Sequence, residues 1–310
     1  MKPLYVSLKP YLDPAAQERP ANWAQVFGNT RPVEVEIGIG NGEYLARMAT
    51  ENPEINYVGF EEYCERVSRS LRKLSRVATG NARVIRMDVR PALEYLFAPR
   101  SIHFIHCLFP APWPKKSDIK HRLMRTDFLR LANNRLIDGG ALKVVTDFEP
   151  FTLWVKDQVE GSGFVLQENV IGANYGTKFE RKWQDGGQEE FYELLLIKHE
   201  HADIPFKKAS VIQHYTLPQF DPDHFSMTDH SDGKCAVVFK EYLFDPKQAK
   251  ALVYVLVHDE DLLQHVRVSI VKTQAGWHVG LAQGSMQMPT PGIAKAIECV
   301  RDAAHKSVSC

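Results

Sequence analysis

The chain contains no run of about eighteen or more uncharged apolar residues, so nothing in its 310 residues predicts a membrane-spanning helix. Its first residues, MKPLYVSLKPYLDP, lack the basic-then-apolar layout of a secretory signal, and a soluble, cytoplasmic protein is expected. Cysteine is sparse. Cys64, Cys107, Cys235, Cys299 and Cys310 are odd in number and show neither C-x-x-C spacing nor a paired framework, which excludes a disulfide scaffold and predicts reduced thiols. The histidine pairs His103/His106 and His199/His201 stand isolated, so no metal centre is expected.

Excess charge is absent too. Lys plus Arg and Asp plus Glu both number 38, and the split is even: 27 basic and 26 acidic residues in 1–200, 11 and 12 in 201–310. Any site for a polyanion must therefore be a local patch. Two candidates exist. Lys115, Lys116, Lys120, His121, Arg122 and Arg125 crowd one short stretch, while Arg66, Arg69, Lys73 and Arg76 recur at helical spacing and read foremost as a solvated face.

What is present is rhythm. Short apolar runs at 33–38, 56–60, 82–88, 102–108 and 141–147 alternate with amphipathic stretches at 43–49, 62–77, 91–97, 125–137 and 150–160. Alternation of this kind predicts a parallel, doubly wound α/β sheet. Two late runs at 164–170 and 191–198 bring the expected strands to seven. Residues 199–232, rich in His, Asp, Pro and Lys and without a period, predict a linker. Strands are then expected at 235–244, 251–258, 265–273 and 277–282, with a closing helix at 291–305. The expected organisation is thus a large domain over 1–200 and a smaller α+β domain over 201–310.

The first strand runs into Gly38-Ile39-Gly40-Asn41-Gly42, a G-x-G-x-G turn that lets backbone approach a ligand at the first βα crossing. This is not the dinucleotide G-x-G-x-x-G, and Glu36 just before the turn would repel a pyrophosphate. S-adenosylmethionine has no phosphate and presents a sulfonium and an ammonium, both of which favour a nearby acid. Glu61 follows the second strand, where an acid in this fold class accepts from ribose hydroxyls, and Asp88 ends the third. Glu36, Gly38, Gly40, Gly42, Glu61 and Asp88 are therefore the candidate cofactor-binding residues. Beyond the fourth strand, Phe109-Pro110-Ala111-Pro112-Trp113-Pro114-Lys115-Lys116 spaces prolines two apart, which predicts a stiff loop with bases beside it for phosphates. Trp113 reads equally as a stacking surface or a core anchor.

The run FPAPWPKK with the following K-x-R-L, then TDFEPF from Thr146 and TKFER from Thr177, resembles the bacterial tRNA (guanine-N7-)-methyltransferases over roughly residues 20–198. Trp23 and Phe27-Gly28-Asn29 are similar to that family's leading segment. The resemblance implies a class I, Rossmann-like methyltransferase domain that methylates N7 of a guanine in the variable loop of tRNA. It further implies that Lys115, Asp147, Thr177, Lys178, Phe179, Glu180 and Arg181 contact the substrate, with Asp147 and Glu180 as the catalytic carboxylates. A carboxylate there can accept both N1–H and the exocyclic amine of guanine. One position departs: Ala111 stands where the family usually has Asp, and Ser117, Asp118 and Ile119 dilute the basic cluster, which implies a differently tuned or slower site. Two rivals follow from the residues. An exocyclic-amine methyltransferase would need an acceptor where Ala111 has none, and a non-catalytic RNA-binding protein on the same scaffold would have no need of Glu36, Glu61 and Asp88. Residues 205–310 carry no recognisable motif.

Overall fold

The structure is a computed structural model that describes residues 6–207, 210–259, 262–283 and 287–309. The chain divides into two compact units, Met1–Asp13 with Gln17–Lys207, and Pro14–Ala16 with Lys208–Cys310.

In the first unit the elements run α1 (Trp23–Phe27), β1 (Val33–Ile37), α2 (Glu43–Glu51), β2 (Asn56–Glu61), α3 (Cys64–Val77), β3 (Ala82–Arg86) and α4 (Val89–Leu96). They continue with β4 (Ile102–Leu108), α5 (Thr126–Arg135), β5 (Leu136–Thr146), α6 (Glu149–Val159), β6 (Phe164–Ile171), α7 (Lys178–Asp185) and β7 (Phe191–Lys198). The seven strands order as β3-β2-β1-β4-β5-β7-β6, a doubly wound sheet as expected. β1 pairs in parallel with both β2 and β4, while β7 enters antiparallel between β5 and β6. The chain reverses direction across the sheet at β1 and β4, so their carboxyl ends open a crevice, the usual ligand position in such sheets.

Local chemistry explains where the elements depart from expectation. The helix expected over 125–137 stops at Arg135, whose guanidinium is drawn inside to donate to Leu93 O at 2.7 Å and to the Asn134 side chain. The chain then enters β5 at once. Two short helices carry no legible period and exist through their caps: Asn22 accepts from Gln25 N at 3.1 Å to start α1, and Thr177 Oγ1 accepts from Glu180 N at 3.1 Å to start α7. The central strands β1, β2 and β4 are buried almost throughout, as a sheet with helices on both faces requires.

The second unit is α+β. Its sheet orders as β8-β13-β12-β11-β10-β9, antiparallel throughout, from β8 (Tyr215–Leu217), β9 (His230–Ser231), β10 (Cys235–Asp245), β11 (Lys250–Asp259), β12 (Leu262–Thr273) and β13 (Gly276–Leu281). α8 (Pro291–Lys306) lays Ile293, Ala296, Ile297, Val300 and Ala304 on the valines of β11 and β12. The stretch expected to be a linker thus holds both edge strands, too short for alternation to show. The four described cysteines are free thiols. No described helix is long and apolar enough to cross a membrane.

Candidate active site

At the carboxyl ends of β1 and β4 lies a cleft lined by Glu36, Gly38, Gly40, Asn41, Glu43 and Tyr44 on one side, and by Leu108, Phe109, Thr177 and Lys178 on another. Gly38 and Gly40 turn with φ of +68° and +54°, and a Cβ at either would point into open space. Their backbone is therefore bare toward the cleft, in a conformation that side chains rarely adopt. Gly42 has a different reason to be glycine. A Cβ there would lie 2.7 Å from Ser70 Cβ, so Gly42 lets α2 and α3 close together.

Glu36 is 4% exposed, and its Oε2 has no hydrogen-bond partner among the described residues. Burial pushes its carboxyl up to about 8, against the pull of Arg47. An unpaired carboxylate in such a place is costly unless a cation or donor completes it. Glu61 is equally buried but fully engaged: Oε2 accepts from Gly40 N at 3.0 Å, and Oε1 from Glu62 N and Tyr63 N at 3.0 and 3.1 Å. It holds the glycine turn in shape. Asp88 caps α4 through Arg90 N at 2.8 Å and pairs with the Arg90 guanidinium at 2.7 Å, and is not among the residues that line the cleft.

Under the cleft runs a polar row. His106 meets Glu34 at 2.8 Å through Nε2 and the Tyr44 hydroxyl at 3.1 Å through Nδ1. Burial lowers its affinity for a proton, against the pull of Glu34, and a neutral ring serves both bonds: Nε2–H donates to the carboxylate and Nδ1 accepts from the phenol. Tyr44 in turn lies edge-on to Tyr175, at 5.8 Å between ring centres.

On the side predicted to take the substrate, Asp147 sits half-buried at the end of β5 with no hydrogen-bond partner among the described residues. Glu180 is buried and spends Oε1 on Asn174 N and Tyr175 N at 2.6 and 2.8 Å, bracing the turn before α7. Thr177 caps that helix; the Phe179 side chain lies outside the described residues. Lys178 and Arg181 both reach Glu43 on α2, Lys178 by its backbone N–H at 2.8 Å and Arg181 by Nη2 at 2.9 Å. The proline loop is clamped by Arg122, a residue of the K-x-R-L run. Its side chain donates to Pro112 O at 2.8 Å and Trp113 O at 3.2 Å, and lies 4.9 Å over the Trp154 ring. Lys115 is exposed at the start of a 3₁₀ turn over Lys116–His121, and Trp113, 39% exposed, is no core anchor.

The cleft thus joins Glu36, Gly38 and Gly40 to Thr177 and Lys178, leaving Glu61 one bond behind it through Gly40. Sequence reading missed Glu43, Tyr44, His106 and the clamp made by Arg122. The available signal for Glu43 was an acid opening a helix directly after the glycine turn, where it also favours the helix N-terminus.

Residues 30–193 match a family model described as "Putative methyltransferase". The tRNA (guanine-N(7)-)-methyltransferase of Chlorobium phaeobacteroides is 36% identical over 171 residues, covering 55% of this chain and 84% of that one. The enzyme of the same name from Thermotoga maritima is 35% identical over 56% of each chain. That of Thermus thermophilus is 28% identical over 91% of this chain and 92% of its own length, so the similarity there extends into the second unit.

Proposed function

The chain belongs to the tRNA (guanine-N(7)-)-methyltransferase family, and on that premise we propose that it transfers a methyl group from S-adenosylmethionine to N7 of a guanine in the variable loop of tRNA. The observation that carries this reading is Glu36: a buried carboxylate with an unpaired oxygen beside two left-handed glycines in one cleft. That acceptor suits a cationic amino-acid moiety and, when ionised, repels a phosphate.

When bound, S-adenosylmethionine supplies an electrophilic methyl on its sulfonium. In our reading Glu36 holds the ammonium, the backbone of Gly38 and Gly40 lies against the cofactor, and Glu61 keeps that turn in place through the Gly40 amide. Guanine N7 offers an in-plane lone pair and carries no proton, so the protein's task is orientation, with no general base to supply. Asp147, which has no partner among the described residues, is the acceptor for N1–H and the amine of guanine; Glu180 chiefly shapes the loop beside it. The ring becomes cationic on methylation, and the Asp147 charge stabilises it. Lys115 meets a phosphate from the exposed rim.

Incubating the protein with a tRNA transcript and tritiated S-adenosylmethionine, followed by nucleoside analysis, tests this. Label in 7-methylguanosine, lost when the variable-loop guanine is replaced, is expected. Label on an exocyclic amine, or binding of cofactor and RNA without transfer, would overturn the reading.

A further inference from the structure

The helix that leaves the glycine turn is also what grips the loop leading into α7. Three side chains of α2 take part. Glu43 accepts from Lys178 N at 2.8 Å and pairs with Arg181 at 2.9 Å; Tyr44 packs edge-on to Tyr175; Arg47 Nη1 donates to Asn174 O at 3.1 Å. Positions 43, 44 and 47 fall on one flank of a helix, so one element supplies all three of these contacts, while the Tyr175 hydroxyl also bonds Glu193 on β7. Lys73 from α3 meets the same Glu43 carboxylate at 3.1 Å. Burial works against its ionisation, but the bonds from Lys73, Arg181 and Lys178 outweigh it and keep the carboxyl below its ordinary range.

What Glu43 holds is not an inert loop. Thr177 and Lys178 line the same cleft as Glu36, Gly38 and Gly40. The bond to Glu43 also uses one of the amides that the first turn of α7 leaves without an intrahelical partner. We propose that Glu43 is a positioning residue, a latch that ties the 177–181 segment to the glycine turn so that filling the cleft and closing the guanine side occur together. This rests on the function proposed above for the segment's role toward guanine, but the latch itself is a statement about α2 and α7.

A partly exposed ion pair that did nothing further would contribute little to folding. Glu43→Gln and Arg181→Gln are therefore expected to change Tm by less than about 2 °C. The decisive measurement is amide hydrogen exchange across residues 174–182 with and without S-adenosylhomocysteine. In the wild type the nucleoside should slow exchange there by roughly ten-fold or more; in Glu43→Gln the slowing should shrink to less than about three-fold at saturating nucleoside. In steady-state methylation each single variant should lose roughly ten-fold in kcat/KM for tRNA, and the double variant little more, as for two groups acting through one contact. Equal slowing in wild type and Glu43→Gln, or additive losses in the double variant, would overturn the latch. If the wild type fails to methylate guanine N7, the functional reading falls while the exchange experiment still decides the latch.

Discussion

Glu36 is the place where stability and binding should pull in opposite directions. Its folded carboxyl ionises near 8, against an ordinary value of 4.5, because burial disfavours the charge. That rise corresponds to a penalty on the charged form of about 5 kcal/mol. Between those two values the folded protein keeps a proton that the unfolded chain gives up, so this residue's contribution to stability declines as pH climbs from about 4.5 to about 8 and then levels off. A cation bound against Oε2 reverses the balance and requires the charge. Binding of S-adenosylhomocysteine, which retains the ammonium, should release close to one proton at pH 6.5, and its affinity should rise by up to about ten-fold per pH unit toward 8. Above that the affinity should level off, and fall only where the ligand's own ammonium loses its proton. Calorimetry in two buffers of different ionisation enthalpy counts the proton directly. Glu36→Gln should abolish the release, weaken binding by roughly a hundred-fold or more at pH 8, and raise Tm at that pH by several degrees. Proton release unchanged in Glu36→Gln, or a wild-type affinity flat from pH 6 to 8, would refute the assignment.

Asp147→Ala should cut methyl transfer by roughly a hundred-fold while leaving S-adenosylhomocysteine affinity within about three-fold; comparable losses in both would place the residue on the cofactor side. Arg122→Ala removes the clamp on the Pro112 and Trp113 carbonyls and should cost about 1–3 kcal/mol in urea unfolding together with a fall in kcat, whereas a change in stability alone would separate the loop from turnover. Lys115→Ala should flatten the log–log salt dependence of tRNA binding by about one unit at most, and an unchanged slope with reduced turnover would move Lys115 from phosphate to base. Ala111→Asp adds a carboxylate to the proline loop and should raise single-turnover rates by roughly ten-fold; unchanged or lower rates across pH would mean that Asp147 already serves that space.

The sheet was legible because its central strands are buried on both faces and read as apolar runs, and because the helices between them keep one apolar stripe. Glu36 and the bare glycines could be found from residue type and order along the chain. The work of Glu180 could not: whether a carboxylate faces a ligand or braces two amides of its own loop depends on backbone direction across six residues. Glu43 was hidden for a related reason, since its partners lie 135 and 138 positions away. Edge strands β8 and β9 were missed because three and two residues are too few to alternate, and they form only because longer neighbours present an open ladder.

The placement of β7 bears on how the protein is made. β6 is synthesised before β7, yet its partner in the sheet is β7, which itself fills the position beside β5. On the ribosome, a nascent chain that ends short of Phe191 therefore has β5 as a raw edge and β6 with nothing to join. The turn held by Glu180 and the helix gripped by Glu43 hang between β6 and β7, so the guanine side cannot assemble before the last strand of the unit has emerged. The glycine turn and its buried acid come from β1, β2 and α2, but Thr177 and Lys178 line the same cleft, so its wall waits for the later chain as well. Nascent chains released at successive lengths should accordingly gain the complete nucleoside cleft, and with it methyl transfer, only once β7 has emerged.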